Sequence, residues 1–166
     1  LYYYNDFMLD AIRANSLADL MEDIVEYPLE FEPGERYLYG LNQDVLGRVV
    51  EVASGIPFAD FLKKFVFNPL EMNQTKFFLS PEEKKSILPL YVNNQKIVGF
   101  NKTGITGIND LISYDMKYKP ALGSLGLIST PEDYSNFCSM LLNQGVFKNK
   151  RILSEESISE LKVKYA

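Results

Sequence analysis

Histidine is absent from the 166 residues, and cysteine occurs only once, at Cys138. Without histidine, these residues cannot contain a Ser-His-Asp triad, a Cys-His pair or a histidine-bearing zinc site. A single cysteine also excludes an internal disulfide and an all-cysteine zinc site. No Asp-x-Asp-x-Asp loop is present that would bind a metal through carboxylates. We therefore predict no metal site and no cofactor.

Long apolar runs and excess basic charge are lacking as well. No stretch approaches the roughly 18 apolar residues that a membrane span requires, and the first residues do not resemble a signal peptide. The net charge is −5 and the pI is about 4.8, which argues against nucleic acid because its binding needs a basic surface. The sequence does not begin with Met, so we expect it to be a piece of a longer protein.

The composition is that of a folded domain. Hydrophobic residues make up 46% and aromatic residues 13%, which excludes disorder. Glycine and proline divide the chain into roughly six or seven helices with little sheet. The predicted fold class is therefore α+β, mostly α, with a single domain over residues 1–166. A small β-hairpin is predicted over residues 87–100, followed by a polar surface loop over residues 101–120.

The clearest predicted helix follows Asn42. Apolar residues recur in it at spacings of three and four, which predicts a buried apolar face. Gly47 lies inside this helix at a cost of about 1 kcal/mol relative to alanine, which predicts close packing against a neighbour. Four further helix starts carry N-capping side chains. The apolar face comprises Val45, Leu46, Val49, Val50 and Ala53, and the caps are Ser16, Ser80, Thr130 and Ser154.

Two short motifs are interpreted as chance matches. Ser159 and Lys162 fit Ser-x-x-Lys, in which a lysine one turn away can activate a serine nucleophile. They lie in a charged helix, where the lysine would stay solvated and protonated. Lys102, Thr103 and Gly104 fit Lys-Thr-Gly, a motif that binds substrate carboxylates from a strand, but here it falls in the predicted loop.

Tyr39 is the strongest catalytic candidate from chemistry alone. It lies between the Pro33-Gly34 bend and the helix that follows Asn42. The positive end of the helix dipole would favour its phenolate form, and a phenolate can act as a general base in a chain without histidine. A purely structural tyrosine in a turn is the commoner alternative.

Four segments of the sequence favour the catalytic interpretation of Tyr39 over the structural one. They are residues 32–40 (EPGERYLYG), 44–55 (DVLGRVVEVASG), 67–75 (FNPLEMNQT) and 123–133 (GSLGLISTPED). Together and in this order they resemble the serine β-lactamase-related family of class C β-lactamases, DD-peptidases and esterase-like relatives. The resemblance covers about residues 17–162. It implies the helical portion of a two-part fold, without the N-terminal nucleophile helix and the C-terminal sheet strands of the whole catalytic domain.

The resemblance also implies a site. Of the family's three catalytic motifs only the tyrosine motif maps onto this chain, at Tyr39, with the role of accepting the serine proton and later protonating the leaving group. The usual Tyr-x-Asn has Leu41 at its third position, as in the esterase-like branch, and Asn42 takes that role if the turn shifts by one residue. Substrate-binding positions are then Leu41, Asn42, Gly123 and Ser124.

The first functional hypothesis is the central segment of a serine hydrolase that cleaves esters or amides through an acyl-enzyme. The substrate would be a small molecule or a peptidoglycan-type compound, and the segment alone would be inactive. The family resemblance favours a bacterial protein of the envelope or the exterior. Two alternatives remain open: a non-catalytic binding module on the same scaffold, and a longer protein that has lost its nucleophile. Exposed apolar surface where a sheet would dock predicts self-association.

Overall fold

The computed structural model describes residues 14–86, 91–93, 100–102 and 120–163. The chain forms two compact units: Leu1–Asn42 with Phe78–Pro120, and Gln43–Phe77 with Ala121–Ala166. The described elements are mostly helical, as predicted. In chain order they are α1 (Leu17–Ile24), α2 (Asn42–Ser54), α3 (Phe58–Leu62) with a π-helical turn (Lys63–Phe67), α4 (Pro81–Lys84), β1 (Tyr91–Asn93), β2 (Phe100–Lys102), α5 (Pro131–Leu142), β3 (Val146–Phe147), β4 (Lys150–Arg151) and α6 (Glu155–Glu160).

All four predicted helix caps are confirmed. In each, the hydroxyl of the capping residue accepts the backbone N–H three residues later, which satisfies one of the free donors of the first turn. At α4 the Glu83 carboxylate also accepts the Ser80 N–H, completing a capping box. The hydroxyl–amide pairs are Ser16–Asp19 at 3.0 Å, Ser80–Glu83 at 3.3 Å, Thr130–Asp133 at 3.2 Å and Ser154–Ser157 at 3.1 Å.

The predicted β-hairpin is confirmed in the first unit. Strands β1 and β2 pair antiparallel, with Tyr91 opposite Lys102 and Asn93 opposite Phe100. The second strand therefore extends to Lys102, where the sequence analysis expected the polar loop to have begun. Backbone pairing does not require apolar side chains, so polarity alone placed this boundary too early. The remainder of the predicted loop, residues 103–119, lies outside the described residues.

The core of the second unit is formed by the π-helical turn, α5, the β3–β4 hairpin and α6. Antiparallel pairing of Val146 with Arg151 closes that hairpin. The buried cluster consists of Phe67, Leu70, Met72, Met140, Phe147 and Ile158. Burial of apolar side chains of this size stabilises the fold by roughly 1.5–3 kcal/mol each.

The side of helix α2 that is buried differs from the predicted one. Most of its predicted apolar face is exposed: Leu46 is 61% and Val49 is 54% accessible. The buried residues of α2 are Asp44 and Gly47. A 3.6-residue periodicity identifies an apolar stripe, but it does not determine which side of the helix meets the rest of the fold. Gly47 was expected to pack closely, and its burial agrees with that expectation.

The polar side of α2 is held by specific bonds. Glu51 Oε1 accepts the backbone N–H of Phe58 at 3.0 Å, at the start of α3, and its other oxygen pairs with Arg48 at 3.1 Å. The Ser54 hydroxyl donates to the carbonyl of Val50 at 2.7 Å near the C-terminus of the helix. Gly55 follows with a φ of +68°, which ends the helix without steric cost. Among the described helices, none is long and apolar enough to cross a bilayer.

Candidate functional site

Tyr39 lies in the first unit, in a segment without regular secondary structure, three residues before α2 begins. Upstream, the predicted bend is present: Gly34 has a φ of +93° and the Glu35 N–H donates to the Glu32 carbonyl at 3.2 Å. Tyr39 is 66% exposed and the nearby Tyr37 is 83% exposed. Both tyrosine side chains are therefore accessible, and Tyr37 provides a natural comparison for Tyr39.

The two residues proposed to replace the family's usual asparagine differ in accessibility. Leu41 is buried, whereas Asn42 is exposed at the first position of α2. The Asn42 side-chain amide donates to the Leu38 carbonyl at 3.4 Å, a long and therefore weak hydrogen bond. Of these two residues, Asn42 is consequently the one that presents a polar group to solvent.

Gly123 and Ser124 lie in the second unit, at the start of α2. A Cβ atom on Gly123 would overlap the backbone carbonyl of Gln43, so only glycine permits this approach. The Ser124 N–H donates to Asp44 Oδ1 at 3.2 Å. The predicted substrate-binding pair is therefore fixed against the first turn of this helix.

Asp44 is a residue that the sequence analysis missed. It is 0% exposed, and its Oδ2 atom has no hydrogen-bond partner among the described residues. The buried Ser124 Oγ likewise has no partner in this part of the chain. Asp44 begins the second of the four family-like segments, but as an acidic residue in the first turn of a helix it ordinarily indicates no more than a favourable dipole interaction.

Residues 123–129, hereafter the glycine segment, are held at their other end by Thr75 and Lys76, and Thr75 is in turn bound by a second buried aspartate, Asp133. Asp133 Oδ2 accepts the backbone N–H of Gln74 and the hydroxyl of Thr75, both at 2.8 Å. Thr75 Oγ1 also lies 2.7 Å from Ser129 Oγ, and Lys76 and Ile128 exchange two backbone hydrogen bonds at 2.9 Å. This network was missed because its partners lie more than 50 residues apart in sequence.

The predicted site residues thus fall into two sets. Tyr39, Leu41 and Asn42 belong to the first unit, whereas Gly123 and Ser124 belong to the second. Each set has a defined local structure of its own. Within the second unit, Ser124 is bonded to Asp44 and Gly123 lies against Gln43, both at the start of α2.

The two motifs interpreted as chance matches have different outcomes. Ser159 and Lys162 are exposed at and after the end of the short helix α6, and Lys162 Nζ donates to the Gln144 side chain at 3.4 Å. This solvated setting agrees with the structural interpretation. Lys102 lies in strand β2 rather than in a loop, and Thr103 and Gly104 lie outside the described residues. Across the described ranges, no cluster of three or more potential metal ligands occurs.

The β-lactamase family profile matches residues 1–164, so this chain belongs to the β-lactamase family. A lovastatin esterase of Penicillium rubens is 29% identical over 133 residues, which cover 80% of this chain and 33% of that protein. The fold matches simvastatin synthase of Aspergillus terreus with a TM-score of 0.67 at 17% identity, over 92% of this chain and 41% of that one.

D-amino acid amidase of Ochrobactrum anthropi gives a TM-score of 0.61 at 19% identity, over 87% of this chain and 38% of that one. At this identity the two solved structures establish the fold alone, and they confirm the predicted fold class. The chain spans about a third of the length of the curated relatives it matches. The predicted family membership is confirmed as well.

Proposed function

We propose that this chain is part of a serine hydrolase that cleaves an ester or amide through an acyl-enzyme. The observation that carries the proposal is the family match across residues 1–164, together with the similarity to an esterase over 80% of the chain. Esters are favoured over lactams because Leu41 occupies the position at which the wider family has the asparagine that binds a substrate amide. Acyl transfer of this kind uses a serine made nucleophilic by neighbouring groups.

The nucleophile, in this proposal, comes from a part of the protein outside these 166 residues. Ser159 and Lys162 are exposed, and Lys162 hydrogen-bonds to Gln144, so they do not form the buried, water-poor pair in which a lysine activates a serine nucleophile. Residues 1–166 alone should therefore be inactive. Burst-phase turnover of nitrocefin or p-nitrophenyl acetate by residues 1–166 alone would contradict this expectation.

Tyr39 is proposed as the general base of the whole enzyme. Its exposure and its place just before α2 leave the phenol able to approach a reacting hydroxyl supplied by the rest of the protein. Asn42 would donate a hydrogen bond to the substrate, with Leu41 supporting that turn. Gly123 and Ser124 would form part of the wall of the substrate cleft.

The test replaces Tyr39 by phenylalanine in the full-length protein. Tyr39→Phe removes the hydroxyl alone, and a general base typically contributes about 10²–10⁴-fold to the rate. We expect a loss of this size in kcat for p-nitrophenyl acetate. Tyr37→Phe is the matched control, because it removes an even more exposed hydroxyl two residues away and should leave kcat unchanged. Equal activity of the Tyr39→Phe and wild-type proteins would refute the assigned role.

Self-association of the isolated chain is a further proposal. The exposed stripe on α2, which includes Leu46, Val49 and Val52, is an apolar surface that water solvates poorly. In sedimentation experiments residues 1–166 should form dimers or larger species at high concentration. Replacing Leu46 and Val49 by glutamine should reduce this association, whereas a clean monomer before any substitution would contradict it.

A further inference from the structure

The first turn of α2 contains a buried carboxyl group that is only partly hydrogen-bonded. Asp44 is completely buried, and its one described hydrogen bond is from the Ser124 N–H to Oδ1. Asp44 Oδ2 and Ser124 Oγ are both buried and have no partner among the described residues. Most buried polar atoms in proteins are hydrogen-bonded, so two unpartnered atoms on residues that are themselves hydrogen-bonded to each other require an explanation.

Stability alone does not explain Asp44. Burying a carboxyl group with one oxygen unpartnered is costly, and an apolar side chain of similar volume often stabilises such a position instead. An apolar side chain, however, could not accept the N–H of Ser124. What the carboxyl group contributes is therefore a directed bond to one backbone atom of the glycine segment.

Gly123 supplies a second constraint at the same place. Because a Cβ there would overlap the carbonyl of Gln43, the backbone of the segment lies directly on the backbone of α2. This contact sets the distance between the two, while the Ser124–Asp44 bond sets the register of the segment along the helix. The Gly123–Gln43 contact and the Ser124–Asp44 hydrogen bond together fix the position of residues 123 and 124. Residues that line a substrate cleft need such a fixed position.

We propose that Asp44 is a positioning residue for substrate binding: it holds Gly123 and Ser124 in the orientation that the substrate requires. The proposal rests on the proposed hydrolase function, because Gly123 and Ser124 are assigned to the substrate cleft there. Asp44 acts through the backbone of Ser124, and no contact of its own with the substrate is needed. Its loss should therefore weaken binding more than it slows the chemical step.

The test measures steady-state hydrolysis of p-nitrophenyl acetate by the full-length protein with Asp44→Ala, Asp44→Asn and Asp60→Asn. In Asp44→Ala we expect KM to rise about tenfold, the scale of one lost hydrogen bond, with kcat within about twofold of wild type. Asp44→Asn retains a side-chain oxygen that can accept the Ser124 N–H, and it should restore KM. Asp60, an exposed carboxylate in the first turn of α3, is the matched control whose loss should change neither constant.

A second measurement is independent of catalysis. In Asp44→Ala the amide of Ser124 should exchange with deuterium about tenfold faster, because its acceptor is gone. The amide of Ile128, which donates to the Lys76 carbonyl at 2.9 Å, should keep its protection. If the alanine variant does not fold, Asp44→Leu fills the same space and removes the same acceptor.

The outcomes separate the two proposals. If wild-type protein shows no hydrolysis, the proposed function fails, and the exchange measurement still tests whether Asp44 holds Ser124. If wild-type protein is active but Asp44→Ala matches Asp60→Asn in KM, the positioning role is overturned and the hydrolase proposal stands. Unchanged exchange at Ser124, a failure of Asp44→Asn to restore KM, or a fall in kcat at constant KM would also overturn it.

Discussion

The second unit contains two buried aspartates, Asp44 and Asp133, and their hydrogen bonding differs. Asp44 and Asp133 each lie in the first turn of a helix. Asp44 binds one end of the glycine segment directly, through the Ser124 N–H, whereas Asp133 binds Thr75, whose hydroxyl contacts Ser129 at the other end. Asp133 Oδ2 accepts two hydrogen bonds at 2.8 Å, from Gln74 and Thr75. Asp44 accepts one at 3.2 Å and leaves its second oxygen without a partner among the described residues.

The difference indicates a division of roles between the two ends. At the Asp133 end, a well-bonded network accompanies a pair of backbone hydrogen bonds between Lys76 and Ile128, so that end contributes to stability. At the Asp44 end, a partly bonded carboxyl group and a glycine that excludes any side chain determine position at some cost in stability. Functional sites are where proteins commonly accept such costs.

The largest effect should come from adding a methyl group at Gly123. Gly123→Ala forces the new Cβ into the Gln43 carbonyl, so the backbone must move, and we expect a loss of about 3 kcal/mol in the free energy of unfolding. Gly126→Ala is the control within the same segment. It meets open space, but its φ of +92° makes alanine unfavourable by about 1–2 kcal/mol. Urea denaturation should rank the two, and the reverse order would contradict the close packing at Gly123.

The next effect tests the two aspartates directly. Asp133→Ala leaves the Gln74 N–H without an acceptor and also removes the carboxylate to which the Thr75 hydroxyl donates, which should cost about 2–4 kcal/mol in the free energy of unfolding. Asp44→Ala leaves the Ser124 N–H without its acceptor and also removes an unpartnered oxygen. It should therefore lower the free energy of unfolding by about 1 kcal/mol or less.

Chemical denaturation of the two variants under the same conditions provides the measurement. Equal losses, or a larger loss for Asp44→Ala, would show that the two ends do not divide their roles in this way. Thr75→Val refines the result at the Asp133 end, because it removes only the hydroxyl shared with Ser129 and Asp133.

The smallest effect concerns a third acidic residue in a first helical turn, this time in solvent. Glu156 lies at the start of α6, where its own backbone N–H, followed by the Ser154 hydroxyl, holds the pKa of its carboxyl below the usual value. A lowered pKa in the folded state contributes stability above the unfolded pKa, and this contribution is lost as the pH falls through the folded pKa.

An NMR titration of Glu156 therefore measures what a helix start and a capping hydroxyl do to a carboxyl group without burial. Ser154→Ala should raise the pKa of Glu156 toward its ordinary value, and the stability contributed by this group should then be lost at a slightly higher pH. An unchanged pKa in Ser154→Ala would show that the capping hydroxyl does not stabilise the Glu156 carboxylate.

Hydrogen bonds between residues close together in the chain could be predicted from the sequence, whereas contacts between distant segments could not. The capping residues Ser16, Ser80, Thr130 and Ser154 were predicted correctly because each bond spans three residues. The stripe on α2 was recognised, but its assignment to the buried side was wrong. Gly123 and Ser124 were selected by family resemblance, whereas their contacts with Gln43 and Asp44 emerged only from the structure.

The sequence by itself therefore determined the helix starts, the mostly helical class and the family, since each depends on local spacing or on the order of short segments. Only the tertiary structure decided that Asp44 rather than the valines of α2 is buried, and that Thr75 and Asp133 meet across 58 residues of chain. The physical reason is that burial and hydrogen bonding at these positions depend on backbone atoms supplied by distant segments, and no local periodicity encodes them.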